Sequence, residues 1–379
     1  MEITKSGITS IATPMSRAIK YIGAYAALGL VLLAGMAQPD SAMASTGITD
    51  GLKPITIGDA KELQHLGGWN KEQVNQLAWS PDGAKLAIAS LSTNDVLIRD
   101  VDGAFAATLH GHTAGIRGVA FSPDGSLIAS ASNDNTARVW QIGNKRQVCI
   151  AQHTGQVITV AFSPNGRILA SSGDSREIIL TDITTCATFR RWSVGTVVAS
   201  LAFNHNGTLL ASGGEGRTIQ IWNPFTGVKV QELAGHTGWV WSLAFSPVYD
   251  NLLASAGTGD LLHFSSVENA ARVWNVYSGR SIYVLPSGSY YMLSVAFSAD
   301  GNVLATSSRY ENNPQANNVR LWNTRTGQLI RSLDGTTDWS NVVAFNPAGT
   351  VLAVGSDGRS NNGGGVSLWG IPSARDAKP

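Results

Sequence analysis

Side chains able to do acid–base chemistry come together at one place in this sequence. Asp260, His263 and Glu268 lie within one short segment, and a carboxylate near an imidazole is the pairing that general acid–base catalysis uses. They are spread along a predicted loop, so nothing in the sequence fixes the geometry between them. The chain also lacks a Gly-rich phosphate loop before a helix, a His-Glu-x-x-His motif and a Gly-x-Ser-x-Gly elbow. We therefore predict no catalytic residues and no cofactor.

Residues suited to metal binding are equally sparse. The two cysteines, Cys149 and Cys186, are far apart and show no C-x-x-C spacing. The segment from Asp357 to Asn361 is rich in oxygen-bearing side chains but lacks the regular ligand spacing of a calcium loop. Most other Asp and Asn residues fall at turns, where their side chains cap the local backbone. The sequence predicts no metal site.

The elements that position these residues follow from one phrase that occurs seven times. Its clearest copy runs from Val119 to Gly125, and successive copies are spaced by 41 to 52 residues. A repeat of roughly 40–45 residues is typical of β-propeller blades, and each unit contains four short strands separated by turn residues. We predict an all-β, seven-bladed propeller of four-stranded antiparallel blades. An aromatic residue near the end of each first strand marks the copies: Trp79, Phe121, Phe162, Phe203, Phe245, Phe297 and Phe345.

The repeats resemble those of the WD-repeat family, and the resemblance covers nearly the whole chain beyond residue 58. The third strand of most units ends in Trp, as in Trp274-Asn275, and some units open with Gly-His, as in Gly235-His236. The family joins that His, a second-strand Ser or Thr, a turn Asp and the Trp in a structural network. The resemblance implies that such histidines, with His153 in a weaker copy, are buried network members rather than catalysts. It carries over fully only to blade two, on His112, Ser130 or Ser132, Asp134 and Trp140.

The ends of the repeat array predict how the ring closes. Too few residues follow Trp369 to form the fourth strand of blade seven, whereas Lys61–His65 resembles Val230–Ala234, the strand leading into blade five. Family members commonly close the ring by lending an N-terminal strand to the last blade, which removes an exposed sheet edge. We predict a propeller over residues 59–371, a linker outside the ring over 45–58 and a tail over 372–379.

The first 44 residues are typical of an export signal. Basic residues such as Arg17 and Lys20 precede an apolar run from Tyr21 to Ala37, and Ala42-Met43-Ala44 offers a small-residue cleavage site. The alternative is an uncleaved membrane anchor, because a run of this length lies at the lower edge of what spans a bilayer. We expect a bacterial-type exported protein, periplasmic or extracellular, that meets a membrane only if this segment is retained.

Charge and cysteine usage narrow the partners further. The whole chain has a formal charge of +1 and no basic block, so it lacks the electrostatic footprint of a nucleic-acid binder.

An oxidising compartment would allow Cys149 and Cys186 to pair. Their positions relative to the repeat place them on the outer strands of neighbouring blades, which diverge. We therefore expect two separate thiols in a monomeric protein.

Two departures from the repeat concentrate in blades five to seven. The spacing from the first-strand aromatic to the third-strand Trp is longer there, which predicts insertions between the second and third strands at about 257–271, 307–318 and 356–365. Six residues before the aromatic mark, the same blades carry aromatic rings. Both features fall in one sector of one face, where repeat proteins often build a binding surface. The rings either contact a partner or pack beneath the longer loops.

The sequence therefore predicts a non-enzymatic scaffold that binds a peptide or protein on the loops of blades five to seven. One alternative is carbohydrate binding, since sugar rings stack on aromatic side chains. An alternative from another class is a propeller hydrolase with its site at the channel mouth, although a fold alone does not specify chemistry. The predicted partner-binding residues provide apolar contact and polar orientation: Trp239, Trp241, Tyr291, Trp339, Tyr310, Glu311, Asn312, Arg359 and Asn361.

Overall fold

A computed structural model describes residues 49, 51–70, 72–259, 269–287, 291–309, 319–333, 340–357 and 364–373. These residues form seven antiparallel sheets, six of four strands and one with an additional short strand. Each sheet is one blade, and its strands follow one another in sequence except where the N-terminus completes blade seven. The predicted seven-bladed propeller is confirmed.

Strand bounds follow the repeat closely. The N-terminal segment forms β1 (Leu52–Lys53), a 3₁₀ turn (Ala60–Glu62) and β2 (Gln64–Asn70). Blades one to three contain β3 (Gln76–Trp79), β4 (Lys85–Ala89), β5 (Val96–Asp100), β6 (Phe105–Leu109), β7 (Ile116–Phe121), β8 (Leu127–Ser132), β9 (Thr136–Gln141), β10 (Arg146–Gln152), β11 (Val157–Phe162), β12 (Ile168–Gly173), β13 (Glu177–Asp182) and β14 (Thr188–Ser193). Blades four and five contain β15 (Val198–Phe203), β16 (Leu210–Gly214), β17 (Ile219–Trp222), β18 (Lys229–Leu233), β19 (Val240–Phe245), β20 (Leu252–Gly257), β21 (Ala270–Asn275) and β22 (Arg280–Pro286). Blades six and seven contain β23 (Tyr291–Phe297), β24 (Val303–Arg309), β25 (Val319–Asn323), β26 (Leu329–Leu333), β27 (Ser340–Phe345), β28 (Val351–Ser356) and β29 (Gly365–Pro372).

The first strand of each blade lies innermost and the fourth lies outermost. First strands such as β7 and β15 are buried along their whole length, whereas β14 is largely exposed. Each first strand also contacts the first strands of both neighbouring blades, including β27 with β3 across the closure. The core therefore lies between blades, where alternate side chains of each strand meet those of the next sheet.

Every first strand of blades two to seven carries a β-bulge at the same place. The pairing of first and second strands shifts by one residue there, and an extra residue of this kind re-aims its side chain. Ala199, Trp241 and Leu293 form an apolar cluster separate from those between blades, which directs them toward the ring axis. We call the extra residues the bulge residues: Arg117, Ile158, Ala199, Trp241, Leu293 and Asn341.

A hydrogen bond next to the bulge connects neighbouring blades at five junctions of the ring. Two residues after the bulge residue, the backbone N–H donates to a side-chain oxygen of the preceding blade. Gly118 and Val342, which occupy the acceptor position at the other two junctions, have no side-chain oxygen to accept the bond. The donor–acceptor pairs are Val119 with Gln76 Oε1 at 2.7 Å, Leu201 with Thr159 Oγ1 at 3.3 Å, Leu243 with Ser200 Oγ at 3.0 Å, Val295 with Ser242 Oγ at 3.3 Å and Val343 with Ser294 Oγ at 3.3 Å.

The N-terminal strand completes blade seven, which confirms the predicted closure. β2 pairs antiparallel with β29, with Trp69 opposite Val366. The strand occupies residues 64–70 rather than 61–65, because Ala60–Glu62 form a 3₁₀ turn before it. Arg331 of blade six donates from its guanidinium to the backbone oxygens of Lys61 and Leu63 at 2.7 and 2.8 Å, which fixes that turn.

The expectation that residues 45–58 lie outside the ring is wrong for residues 51–58. β1 pairs with the end of β29, with Leu52 opposite Pro372. The backbone N–H of Ile55 donates to Gly349 O at 2.7 Å, and its side chain is buried in the cluster that contains Trp369. The segment is held because its apolar side chains cover a part of blade seven that water would otherwise reach.

The expectation of two separate thiols is also wrong. Cys149 and Cys186 form a disulfide with their Cα atoms 5.4 Å apart. Cys149 lies on the outer strand β10, but Cys186 lies in the turn between β13 and β14, where its φ is 58°. Cys186 packs against the cluster between blades two and three that contains Cys149. Because the turn rather than the outer strand supplies the second sulfur, the divergence of the outer strands does not separate the pair.

Replacing Gly68 with Ala tests the closure. An added Cβ would lie 2.0 Å from Val366 O, inside the β2–β29 pairing, so we expect Gly68→Ala to lower the free energy of unfolding by about 2–3 kcal/mol. The control is Gly143→Ala, because a Cβ there meets nothing within 4 Å. Urea unfolding followed by tryptophan fluorescence measures both variants. Equal midpoints for Gly68→Ala and wild type would contradict the closure described.

Replacing both cysteines with Ser tests the disulfide. The bridge spans a sequence separation of 37 residues, and the chain-entropy model assigns such a loop about 3–4 kcal/mol of stability. We expect reductant to lower the melting temperature of the wild type and to leave the double variant unchanged. Thiol titration of the denatured, unreduced wild type provides the second check, since two reactive thiols there would refute the pairing.

Candidate functional site

Antiparallel pairing sorts the connections of each blade onto two faces. The loops between second and third strands, and those from one blade to the next, lie together; we call this the loop face. The turns between first and second strands and between third and fourth strands lie at the opposite end, on what we call the turn face. Of the predicted partner-binding residues, Trp239 and Tyr291 lie on the loop face, where the first strands of blades five and six begin.

Blade two assembles the network that the family resemblance implies. His112 Nε2 lies 2.7 Å from Ser130 Oγ, and Trp140 Nε1 donates to the same oxygen at 2.8 Å. His112 Nδ1 lies 2.7 Å from Asp134 Oδ2. Ser132 instead donates to a backbone carbonyl at 2.9 Å, so Ser130 is the serine of the network. Every polar group here has a hydrogen-bonding partner, and the side chains of His112 and Asp134 are almost completely buried.

The ionisation of this network suits a structural role. Burial lowers the pKa of His112, although Asp134 opposes the change. Burial acts to raise the pKa of Asp134, but hydrogen bonds from Thr136 and His112 outweigh it and leave that pKa below its usual value. The pair therefore links a stable carboxylate to a weakly basic imidazole.

Two further histidines are buried in the same way. His153 Nε2 lies 2.8 Å from Ser171 Oγ, and His236 Nε2 lies 2.7 Å from Ser255 Oγ. Burial lowers the pKa of His153 to about 4 and that of His236 to about 3, with a smaller contribution from a nearby arginine in each case. Both imidazoles are therefore neutral at pH 7 and act as packed hydrogen-bonding groups.

Two tryptophans of blade five stack at the loop face. The rings of Trp239 and Trp241 have centroids 4.8 Å apart and planes inclined by 15°. Trp241 is a bulge residue and only 3% exposed, so it fills the axis with Ala199 and Leu293 rather than contacting a partner. Trp239 and Tyr291 pack against that cluster and remain partly exposed. The sequence predicts Trp241 as a contact residue, whereas in the structure it lies buried beneath Trp239 and supports that ring.

The insertions predicted in blades five to seven are bounded by well-formed strands. β20 ends at Gly257 and β21 begins at Ala270, whereas in blade two β8 ends at Ser132 and β9 begins at Thr136. The backbone N–H of Gly259 donates to the side chain of Asn269 at 2.7 Å, which closes the base of the blade-five loop. Several predicted residues lie outside the described part of the chain: Trp339, Tyr310, Glu311, Asn312, Arg359, Asn361, Asp260, His263 and Glu268.

The axis has an apolar and a polar half, which sequence reasoning missed. The bulge residues of blades three to six are apolar, whereas Arg117 of blade two and Asn341 of blade seven are polar. Arg117 is 3% exposed and donates to Asn133 Oδ1 at 2.5 Å and to Gln156 Oε1 at 2.9 Å. Burial lowers the pKa of its guanidinium, and Asp174 opposes that change. The constant spacing of four residues before each aromatic mark is the signal that identifies these positions.

An acidic rim borders the aromatic sector. Asp174 and Glu215 follow the second strands of blades three and four and are exposed on the loop face. Partial desolvation raises the pKa of Asp174; Arg117 acts in the opposite direction, and the like charge of Glu215 adds to the increase. Glu215 lies 3.9 Å from Arg176. Two carboxylates thus face solvent at the mouth, beside the blades that carry the exposed rings.

Two classes of feature are absent from the described residues. No group of three or more His, Cys, Asp or Glu side chains there is placed to hold a metal ion. None of the helices in the same residues is long and apolar enough to cross a membrane. The predicted signal segment over residues 1–44 lies outside the part of the chain that the structure describes.

The fold and the blade network agree with a known family. The family model described as the IFT122 first beta-propeller matches residues 73–363, well over half of the chain. The chain therefore belongs to the WD-repeat β-propeller family. Propellers of this family are typical protein-interaction scaffolds, and they generally bind proteins.

Curated relatives are similar over parts of their length. Periodic tryptophan protein 2 of Saccharomyces cerevisiae is 30% identical over 280 residues, which are 72% of this chain and 29% of that protein. An uncharacterized WD repeat-containing protein of Synechocystis sp. is 52% identical over 67 residues, 17% of this chain and 19% of that protein. WD repeat-containing protein SL1-17 of Schistosoma mansoni is 34% identical over 113 residues, 29% of this chain and 36% of that protein. The chain thus spans at most 36% of the length of these three relatives.

The buried histidines predict a loss of stability in mild acid. The unfolded imidazole takes up a proton below pH 6.5, whereas folded His153 takes one up only near pH 4, so stability is full above pH 6.5 and falls as the pH decreases. Between pH 6 and 5 a histidine with this shift contributes a loss of about 1.2 kcal/mol. We expect urea midpoints of His153→Gln to depend less steeply on pH than those of wild type. The control His205→Gln alters an exposed histidine, and an unchanged slope in His153→Gln would contradict the assignment.

Proposed function

We propose that this protein is an exported, non-enzymatic scaffold that binds a protein or peptide segment across the loop face. The proposal rests on two partly exposed rings, Trp239 and Tyr291, which pack against the buried cluster that contains Trp241. Two exposed carboxylates, those of Asp174 and Glu215, border these rings. A segment with an apolar side chain and a neighbouring Lys or Arg fits that combination.

The aromatic part of the surface is rigid before it binds. Trp239 is held by its stack on Trp241, and Trp241 is fixed by the axis cluster and by a 3.4 Å hydrogen bond from Nε1 to Thr258 Oγ1. A ring that is already ordered loses little conformational entropy on association. Aromatic anchors of this kind dominate the energy of many protein interfaces.

The acidic rim provides orientation. Asp174 and Glu215 are exposed, so their attraction for a cation contributes modestly to affinity and more to association rate and specificity. Their position on blades three and four, beside the rings of blades five and six, sets the direction in which an extended segment would lie. Trp339, predicted before the first strand of blade seven, would extend the contact, as would the residues predicted in the inserted loops: Tyr310, Glu311, Asn312, Arg359 and Asn361.

Two features support export. The disulfide between Cys149 and Cys186 is the kind of bond that persists in an oxidising compartment such as the periplasm or the extracellular space. Residues 1–44 have the pattern of a cleavable signal. Retention of that segment as an anchor would place the propeller at a membrane surface in the same compartment.

Capture experiments with matched variants test the loop-face site. The immobilised propeller is incubated with an envelope extract, and the bound proteins are compared between wild type and the double variant Trp239→Ala, Tyr291→Ala. We expect the double variant to lose the specific bands by at least tenfold. The control Tyr277→Ala removes an aromatic ring that is 64% exposed on the turn face and should retain them.

Two outcomes contradict this proposal. Identical capture by wild type and double variant, with both folded by near-ultraviolet circular dichroism, would remove the aromatic site. Retention of oligosaccharides from a glycan array that depends on Trp239, without any protein capture, would favour carbohydrate binding instead.

A further inference from the structure

A second concave surface lies on the turn face, between blades three and four. It has a volume of about 280 Å³ and an apolar floor made by Ile168, Leu180 and Phe203. Phe189 of the outer strand β14 and Phe225 of the turn after β17 form its walls. We call it the turn-face groove. It lies at the opposite end of the blades from the loop-face site.

The walls of the groove are exposed although they are aromatic. Phe189 is 44% exposed and Phe225 is 54% exposed. The residues next to Phe189 on β14 are the polar Thr188 and Arg190. Phe189 is therefore not part of a continuous apolar run along the strand. Exposed rings that border a concave apolar surface indicate a place where something binds.

The groove is already formed in the free protein. Ser163 Oγ donates to Asn165 Oδ1 at 2.7 Å, which fixes the turn of blade three, and the Phe225 N–H donates to Asn223 Oδ1 at 2.9 Å. Asn206 Nδ2 donates to Asp250 Oδ2 at 2.8 Å, which fixes the turn of blade four. A ligand would therefore meet walls that need little ordering.

Size and charge indicate the occupant. Pockets for whole small-molecule ligands run from about 300 to 1,000 Å³, so this groove suits one or two side chains of a longer partner. Arg190 lies with its guanidinium 5.9 Å from the Phe189 ring and bonds only weakly to Thr226 O, at 3.4 Å. Among the described residues Arg190 forms no ion pair, whereas Arg167 is paired with Asp182. An incoming carboxylate would supply the missing partner.

We propose that the turn-face groove binds a peptide segment of a second protein, in which a bulky apolar side chain stands next to Asp or Glu. The apolar side chain enters between Phe189 and Phe225, and the carboxylate pairs with Arg190. The site is independent of the loop-face site, so the propeller binds two partners at once. It acts as an adaptor.

A defined peptide panel tests the groove in the intact protein. The probe is a fluorescein-labelled peptide, Gly-Ser-Leu-Phe-Asp-Glu-Ser-Gly, and its comparisons replace Leu-Phe with Ser-Ser or Asp-Glu with Lys-Lys. Fluorescence anisotropy measures Kd. We expect the parent peptide to bind at least tenfold more tightly than either comparison.

Matched variants assign the binding to named side chains. Phe225→Asp should weaken the parent peptide at least tenfold, whereas Tyr277→Asp, at the equivalent turn position of blade five, should not change its Kd. Arg190→Glu should weaken the parent peptide and strengthen the Lys-Lys comparison, a reversal that a purely structural effect would not produce. The neighbouring Arg191→Glu is the control for charge alone.

Several results would overturn the proposal. No difference among the panel peptides, or equal loss in Phe225→Asp and Tyr277→Asp, would show that the groove does not select this chemistry. Light scattering that detects a dimer abolished by Phe225→Asp would make a second copy of the chain the occupant. Loss of peptide binding in the double variant Trp239→Ala, Tyr291→Ala would show that the peptide uses the loop face.

Discussion

The bulge in the inner strand is the constraint on which the rest of the structure depends. In blades two to seven it directs one side chain per blade toward the axis, as with Arg117 and Trp241, and it lies two residues before the N–H groups that hydrogen-bond to the preceding blade. At the five junctions that have them, these bonds run in one direction around the ring, from an inner strand to the blade before it. Such an arrangement is stable only if the ring closes, because an open end would expose the inner strand of blade one and the edge of β29. β2 and β1 prevent that exposure by covering blade seven from the N-terminal side.

The same bulge explains why the loop face is asymmetric. The bulged strands of blades two to seven present six equivalent positions at the axis, and the identity of each bulge residue distinguishes them. Arg117 introduces a buried cation that requires Asn133 and Gln156 as partners, which makes the blade-two side polar. Trp241 fills the opposite side and provides the flat surface on which Trp239 stacks. The exposed rings are therefore a consequence of what the axis contains, and a smaller bulge residue in blade five would leave Trp239 without its support.

Features carried by local spacing could be predicted from the sequence, and features that depend on distance between blades could not. The strand order, the N-terminal closure and the network around His112 follow from motifs within one repeat or from the count of strands. The disulfide depends on where the turn containing Cys186 projects relative to blade two, which no spacing within a repeat reveals. The burial of Trp241 depends on a register shift, and alternation along a regular strand assigns such a residue to the wrong surface. The turn-face groove brings Phe189 of blade three against Phe225 of blade four, so it exists only once the sheets are placed side by side.

Blade four shows how the two surfaces are related. Its inner strand contributes Ala199 to the cluster beneath Trp239, and its outer turn contributes Phe225 to the groove at the other end. Between them Trp222 is buried and donates from Nε1 to Ser212 Oγ at 2.8 Å, which joins the second and third strands of the blade. Close packing of this kind resists deformation, so the separation between the surfaces is fixed by the length of the strands. Two partners held on a rigid body have a constant effective concentration relative to each other, set by geometry rather than by a flexible linker. A rigid fold of this kind can thus favour one encounter over others by holding two molecules at a defined distance.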